Sequence, residues 1–131
     1  MKTYFIKAGT DVDIDVIPCD QINSYDFIKE SIGGGTFDCI ALPSLGIDIW
    51  IDDDGKLVEN PKINLLGTAL WMKEYGPTDI IVGNIVITGG VDDDGNTIGM
   101  TEEKGKEIIA LAKVFVDALT NQIMDEIILG K

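Results

Sequence analysis

The side chains able to do chemistry in this sequence are carboxylates, lysines and two thiols. Asp and Glu number 23 against ten lysines, and the chain contains neither histidine nor arginine. Without histidine, the usual general base, proton shuttle and zinc ligand are missing. Without arginine, nothing can grip a phosphate or a guanine edge with a planar two-pronged fork. Cys19 and Cys39 are far apart and form no Cys-x-x-Cys pattern, so they read as buried free thiols, consistent with a reducing cytoplasm. No nucleophile–base pair can be assembled from these residue types, and most carboxylates fall in turns. The expectation is a protein that binds rather than catalyses.

The binding candidates are few. Asn84 is an amide inside the apolar run Asp79–Thr88, directly after Gly83. A buried amide must find partners, so structural satisfaction and ligand recognition are both open for it. Trp71 reads either as core or as a stacking platform. Thr101 is a good N-cap, with Glu102 and Glu103 in the first turn behind it, and capping alone accounts for it. The functional reading makes Met100, Thr101 and Lys104 one rim of a ligand site at a helix N-terminus. These requirements place the site where Asn84 and that N-terminus meet, with Trp71 supplied by a helix or a neighbouring subunit.

Gly33-Gly34-Gly35-Thr36 follows a helix and lacks the Gly-Lys-Ser/Thr of a phosphate loop, so it reads as a helix stop. Gly34 and Thr36 remain the next place to look. Asp92, Asp94, Asn96 and Glu103 copy part of a calcium-loop spacing. Thr97 stands where glycine is needed and a strand precedes the run, so a solvated turn is expected and no metal.

The elements that must position these residues follow from periodicity and punctuation. Residues 2–8 and the alternating run 11–17 read as strands, and Asn23 as the cap of a short helix to about Ile32. Strands are expected at 36–42 and 47–52, and Asp53-Asp54-Gly55 should turn into a hairpin with Lys56-Leu57-Val58. Asn60-Pro61 looks like a cap and first position of a second helix reaching about Glu74. Residues 78–88 are nearly all apolar and read as one long central strand. A final helix from Thr101 to about Leu129 would be roughly 40 Å long. Its apolar residues form two stripes, one through Ile108, Leu111, Phe115, Ala118 and Leu119, the other through Ile109, Ala112, Val116, Ile123, Ile127 and Ile128. That much apolar circumference calls for burial on two sides, one of them plausibly a second copy of the chain. The sum is a single domain over 1–131 with an α+β fold: a mainly antiparallel sheet, two short helices and one long C-terminal helix.

Charge bounds the partners. At a net −13 the chain repels a nucleic-acid duplex over any distance beyond a Debye length, about 8 Å at physiological salt. A small anion in a local pocket is still admissible, because backbone N–H groups can hold phosphate unaided. No apolar run reaches the roughly 18 residues of a membrane helix, and the first residues do not read as a secretory signal, so a cytoplasmic protein is expected.

The order of several local strings resembles a group of small phage and prophage proteins. These strings are Asp53-Asp54-Gly55-Lys56-Leu57, Asn64 to Ala69, Asp79 to Gly89 and Thr101-Glu102-Glu103, and the likeness covers about Tyr25 to Phe115. Within that group, the size and long last helix resemble the Thoeris anti-defence sponges. The resemblance implies a phage protein acting in the cytoplasm of an infected bacterium. It would bind a small-molecule cyclic nucleotide signal, a cyclic ADP-ribose isomer and also cyclic trinucleotides, without cleaving it and without a cofactor. It also implies a homo-oligomer, dimer or hexamer, with sites at subunit interfaces. Arginines help hold the phosphates in that family; here lysines and backbone amides would have to substitute. The rival reading, resting on charge alone, is an acidic DNA mimic or a protein that docks on a host defence protein.

Overall fold

Among the described residues are five short strands and three α-helices, and each α-helix begins where a side chain can satisfy its free amides. The computed structural model describes residues 2–11, 13–33, 35–54 and 60–129, side chains of Gln21, Leu119 and residues 122–129 excepted. Strands β1 (Tyr4–Ala8), β2 (Ile14–Pro18), β3 (Phe37–Leu42), β4 (Ile47–Asp52) and β5 (Ile85–Thr88) form one sheet in the order β2-β1-β5-β4-β3. All four pairings are antiparallel. The fold is α+β, with the expected mainly antiparallel sheet, two shorter helices and one long last helix.

Strand alternation sorts the apolar residues onto two faces. Ile6, Ala8, Ile47, Ile49, Ile85 and Ile87 point to one face and join Leu66, Leu70, Ile108 and Ala112 from α2 (Leu65–Tyr75) and α3 (Glu102–Leu129). Phe5 and Val86 point the other way and meet Ile28 and Ile32 of α1 (Ser24–Ile32). The sheet therefore carries one helix on one face and two on the other, and β5, buried at all four positions, is its centre.

Asn23 caps α1 as expected, its Oδ1 accepting from Asp26 N–H at 3.1 Å, and Gly33 closes the helix at φ 126°. Thr101 Oγ1 accepts from Lys104 N–H at 3.1 Å and caps α3. The cap of α2 differs from expectation. It is Asn64, not Asn60, and the helix starts four residues later than Pro61 suggests. The Asn64 side chain is fully buried, with Oδ1 accepting from Gly67 N–H at 2.9 Å and Nδ2 donating to Ala8 O at 3.0 Å and to Gly83 O at 2.8 Å. Burying an amide is tolerable only when its bonds are made, and the true start of α2 offers that network.

The run 78–88 is not one strand. Residues 79–83 leave the sheet and wrap the start of α2: Ile81 O accepts from Asn64 N–H, Thr68 Oγ1 accepts from Ile81 N–H, and Gly83 N–H donates to Lys62 O. Gly83, at φ 77°, makes the bend that returns the chain to β5. Both cysteines are free but neither is buried: Cys19 is half-buried and Cys39, on edge strand β3, is exposed. The Gly55–Val58 arm of the expected hairpin and Gly34 lie outside the described residues. No helix, among the described residues, is long and apolar enough to cross a membrane.

Candidate functional site

The residues expected to share one site are distributed around the molecule. Asn84 is exposed, because the Gly83 bend puts it outside the strand, at the Ala8 end of β1. The N-terminus of α3 is at the other end, where Met100 N–H and C=O pair with Tyr4 at 2.9 and 2.8 Å. Four strand steps of about 3.3 Å separate the two, about 13 Å. Met100 is core, not rim, at 3% exposure. Lys104 is half-buried and reaches toward the turn after β3: a Cβ built on Gly46 would lie 3.6 Å from its Nζ. Thr36 opens onto a shallow hollow with Tyr25, Lys29 and Phe37, away from both. Within one chain, the single site assembled from Asn84, Trp71 and the Met100–Lys104 turn does not form.

Two clefts at helix–sheet seams take its place. The first, about 340 Å³, lies where the opening turns of α3 cross β1 and β2. Tyr4, Ile6, Val16 and Ile109 give it an apolar lining, and Thr101, Glu102 and Lys106 stand at the α3 end. Gly105 packs against the sheet here, with room for a Cβ at ordinary contact distance, 3.7 Å from Ile6 Cδ1. Lys106 pairs with Glu102 at 3.2 Å on the exposed side of the same turn. An exposed pair of this kind contributes little to stability, and it leaves the lysine free to exchange partners. Only Thr101 of the expected residues lines this cleft; Tyr4 and Ile109 escaped notice because strand and helix periodicity account for both as core.

The second cleft, about 530 Å³, separates α2 from β3 and β4 and is lined in part by Trp71, Tyr75, Ile40, Ile51, Asp52 and Asp79. Its aromatic wall is held by hydrogen bonds. Trp71 Nε1–H donates to Thr78 Oγ1 at 3.0 Å, Tyr75 O–H donates to Ala41 O at 2.6 Å, and the two ring centroids are 4.5 Å apart. Glu74 secures the same end of α2, accepting from Ser44 N–H at 3.1 Å and from the Ser44 hydroxyl. Asn84 faces neither cleft; it borders a smaller hollow with Thr10, Asn60 and Lys62.

The electrostatics do not favour nucleophilic chemistry. Loss of hydration pushes the Cys39 thiol up to about 11, with Asp48 and Asp38 adding to the rise. Burial also raises Cys19, against a lowering hydrogen bond from Thr3 and with a further rise from Asp20. Burial raises the Asp48 carboxyl. The acidic turn after β5 is occupied by its own backbone: Asp92 Oδ1 accepts from Asp94 N–H at 3.0 Å and from Asn96 N–H at 2.9 Å. Among the described residues, no group of three or more His, Cys, Asp or Glu side chains could hold a metal ion.

A five-stranded antiparallel sheet, helices on both faces and clefts at the seams define a small α+β domain. Residues 1–113 match the family described as Domain of unknown function (DUF3846), and the chain belongs to that family. No curated protein and no solved structure matches the chain significantly. Residues 114–129 of α3 lie beyond the matched span.

Proposed function

We propose that the chain is a non-catalytic binding protein that sequesters a nucleotide-type signal, in the manner of the phage anti-defence sponges it resembles, in the cytoplasm of an infected bacterium. The observation that carries this reading is the first cleft. It sets the Tyr4 ring and apolar walls for a base beside a helix N-terminus for phosphate, with Lys106 as a nearby cation. Raised thiols support release of the ligand uncleaved, since a thiolate is the nucleophile and these are held protonated near neutral pH.

The test is calorimetry with cyclic ADP-ribose isomers and cyclic trinucleotides, followed by recovery of the ligand after heating. Saturable binding, weakened at least tenfold by Ile109→Glu and with ligand recovered intact, supports the proposal. No binding across the panel, or a cleaved product, refutes it.

The working unit in this proposal is a homo-oligomer, a dimer or hexamer, joined through α3. Its support is the outward apolar surface of that helix, where Val114 is 66% exposed and Phe115 and Val116 are half-buried. Light scattering should give a multiple of 14.2 kDa at micromolar concentration and a lower mass for Val116→Glu. A wild-type monomer would refute assembly. The second reading, an acidic protein docking on a basic partner, keeps the −13 charge as its support.

A further inference from the structure

The two edges of the sheet differ in how the chain's own side chains treat them. On β3, the bond from Asp53 N–H to Thr36 O and the pairing of Phe37 with Asp52 turn the even-numbered residues toward β4. The N–H and C=O groups of Phe37, Cys39 and Ala41 therefore point outward, and side chains take two of them. Cys39 N–H donates to Asp38 Oδ1 at 2.8 Å, and Ala41 O accepts from Tyr75 O–H at 2.6 Å. On β2, the bonds from Cys19 N–H to Thr3 O and from Gly9 N–H to Asp13 O turn the odd-numbered residues toward β1. Ile14 and Val16 thus aim their N–H and C=O groups away from the sheet, and among the described residues nothing bonds to them.

The side chains of β2 decide what can add there. Ile14 and Val16 lie on the α3 face, where Val16 is 49% exposed and lines the first cleft. Asp13 and Asp15 lie on the α1 face, with Lys7 across from Asp15. Residues 10–20 include Asp11, Asp13, Asp15 and Asp20 and no lysine. A second copy of the chain fits badly. If Ile14 and Val16 of one copy pair with Val16 and Ile14 of another, the two Asp15 residues stand directly opposite, their Cα atoms about 4.5 Å apart. Like charges so placed oppose pairing, whereas a basic residue at that position favours it.

We infer that the outer edge of β2 accepts an antiparallel strand from a basic protein, an extended segment with apolar residues opposite Ile14 and Val16 and a lysine or arginine opposite Asp15. Main-chain bonds to Ile14 and Val16 hold the segment, and the alternating side chains select it. This inference does not rest on the nucleotide reading, and no nucleotide enters its test.

The probe is a dye-labelled Val-Lys-Val-Lys-Val amide, titrated by fluorescence anisotropy at about 50 mM salt, where saturable binding is expected. N-methylating its valines removes the donors that face β2 and keeps the charge, and should weaken binding about tenfold. N-methylating its lysines blocks only amides that point away from β2, and should change affinity less than about twofold. Val16→Pro loses only an N–H that points away from β1, so it should keep the wild-type urea midpoint and bind about tenfold more weakly. Asp15→Lys should lose affinity for the lysine peptide and gain it for Val-Glu-Val-Glu-Val, which the wild type should not bind. Equal affinity for the two methylated peptides would show diffuse attraction to an acidic protein and overturn the inference. No saturable binding of the parent peptide, or equal binding of the glutamate peptide by the wild type, would overturn it too.

Discussion

Asn64 is where helix start, sheet end and bend converge, so replacing it separates two accounts of its role. In Asn64→Ala, Gly67 N–H and Ala8 O lose their partners in buried surroundings and Gly83 O loses one in a partly buried place. The cap and the Gly67 bond are the same interaction and count once. At about 1–3 kcal/mol for each buried group left unpaired, the loss is roughly 3–4 kcal/mol. A domain of this kind holds only about 5–15 kcal/mol in all. With a urea slope of about 1.5–2 kcal/mol per molar, the unfolding midpoint should fall by about 2 M at unchanged slope. Asn64→Asp is the sharper test. Aspartate caps helices as well as asparagine does and keeps the oxygen facing Gly67 N–H. It also sets an oxygen against Ala8 O and Gly83 O, where the donor stood at 3.0 and 2.8 Å. At pH 7 it should be at least as destabilising as alanine. Protonation would restore a donor, so this carboxyl has a raised folded pKa. Its folded state then binds protons more tightly than the unfolded chain, and stability relative to wild type recovers as pH falls toward the unfolded value of about 4. If Asn64→Asp unfolds at the wild-type urea midpoint at pH 7, the amide is only a cap and the reasoning fails.

Two glycines should respond oppositely to alanine. A Cβ on Gly99 would overlap Cys19 Sγ and stand 2.9 Å from both Tyr4 N and Tyr4 O, so Gly99→Ala should cost about 3 kcal/mol in urea unfolding. A Cβ on Gly105 meets nothing closer than 3.7 Å, so Gly105→Ala should stabilise α3 by about 0.5–1 kcal/mol. Burial raises the Asp48 carboxyl from its ordinary value of 3.8, so the folded state holds its proton more tightly than the unfolded chain. This group's contribution therefore improves as pH falls through the raised value, and Asp48→Asn should be more stable than wild type at pH 7 and lose that advantage in acid. Cys39 is exposed yet its thiol sits at about 11, so at pH 8 only about one molecule in a thousand is thiolate. Its iodoacetamide rate should climb roughly tenfold per pH unit between 8 and 10, and a plateau by pH 9 would contradict the assignment.

Most of the framework was legible because local signals and tertiary packing agree in it. Asn23 and Thr101 cap the helices they were expected to cap, Gly33 stops α1, and Ile47–Asp52 is the strand its alternation describes. The failures come where an apolar run has two ways to satisfy its backbone. Residues 79–83 are apolar enough for a central strand, but their N–H and C=O groups go to Lys62, Asn64 and Thr68 instead. Nothing local announces that choice except Gly83, which reads equally as a weak strand residue and as a bend. The same ambiguity moved the cap from Asn64 to Asn60: both asparagines precede helix-forming residues, and only the long-range bonds to Ala8 and Gly83 select between them.

The site was less legible because binding residues are recognised by what they leave unsatisfied, and sequence does not show this. Asn84 drew attention as a buried amide, but the buried amide is Asn64, some 20 positions earlier, and its hydrogen bonds are spent on the fold. Trp71, open between core and platform in the sequence, is half-buried in the wall of the second cleft. Its ring lies 4.5 Å from that of Tyr75 in the wall of the second cleft, over the apolar side chains of Ile40 and Ile51. The net charge acts on any ligand from farther away. An anion approaching this protein works against −13 and needs local donors, which the α3 turn offers at the first cleft; a cation is drawn in from every direction. Charge by itself excludes neither ligand. It sets the sign of the long-range force that either must meet, and added salt screens that force.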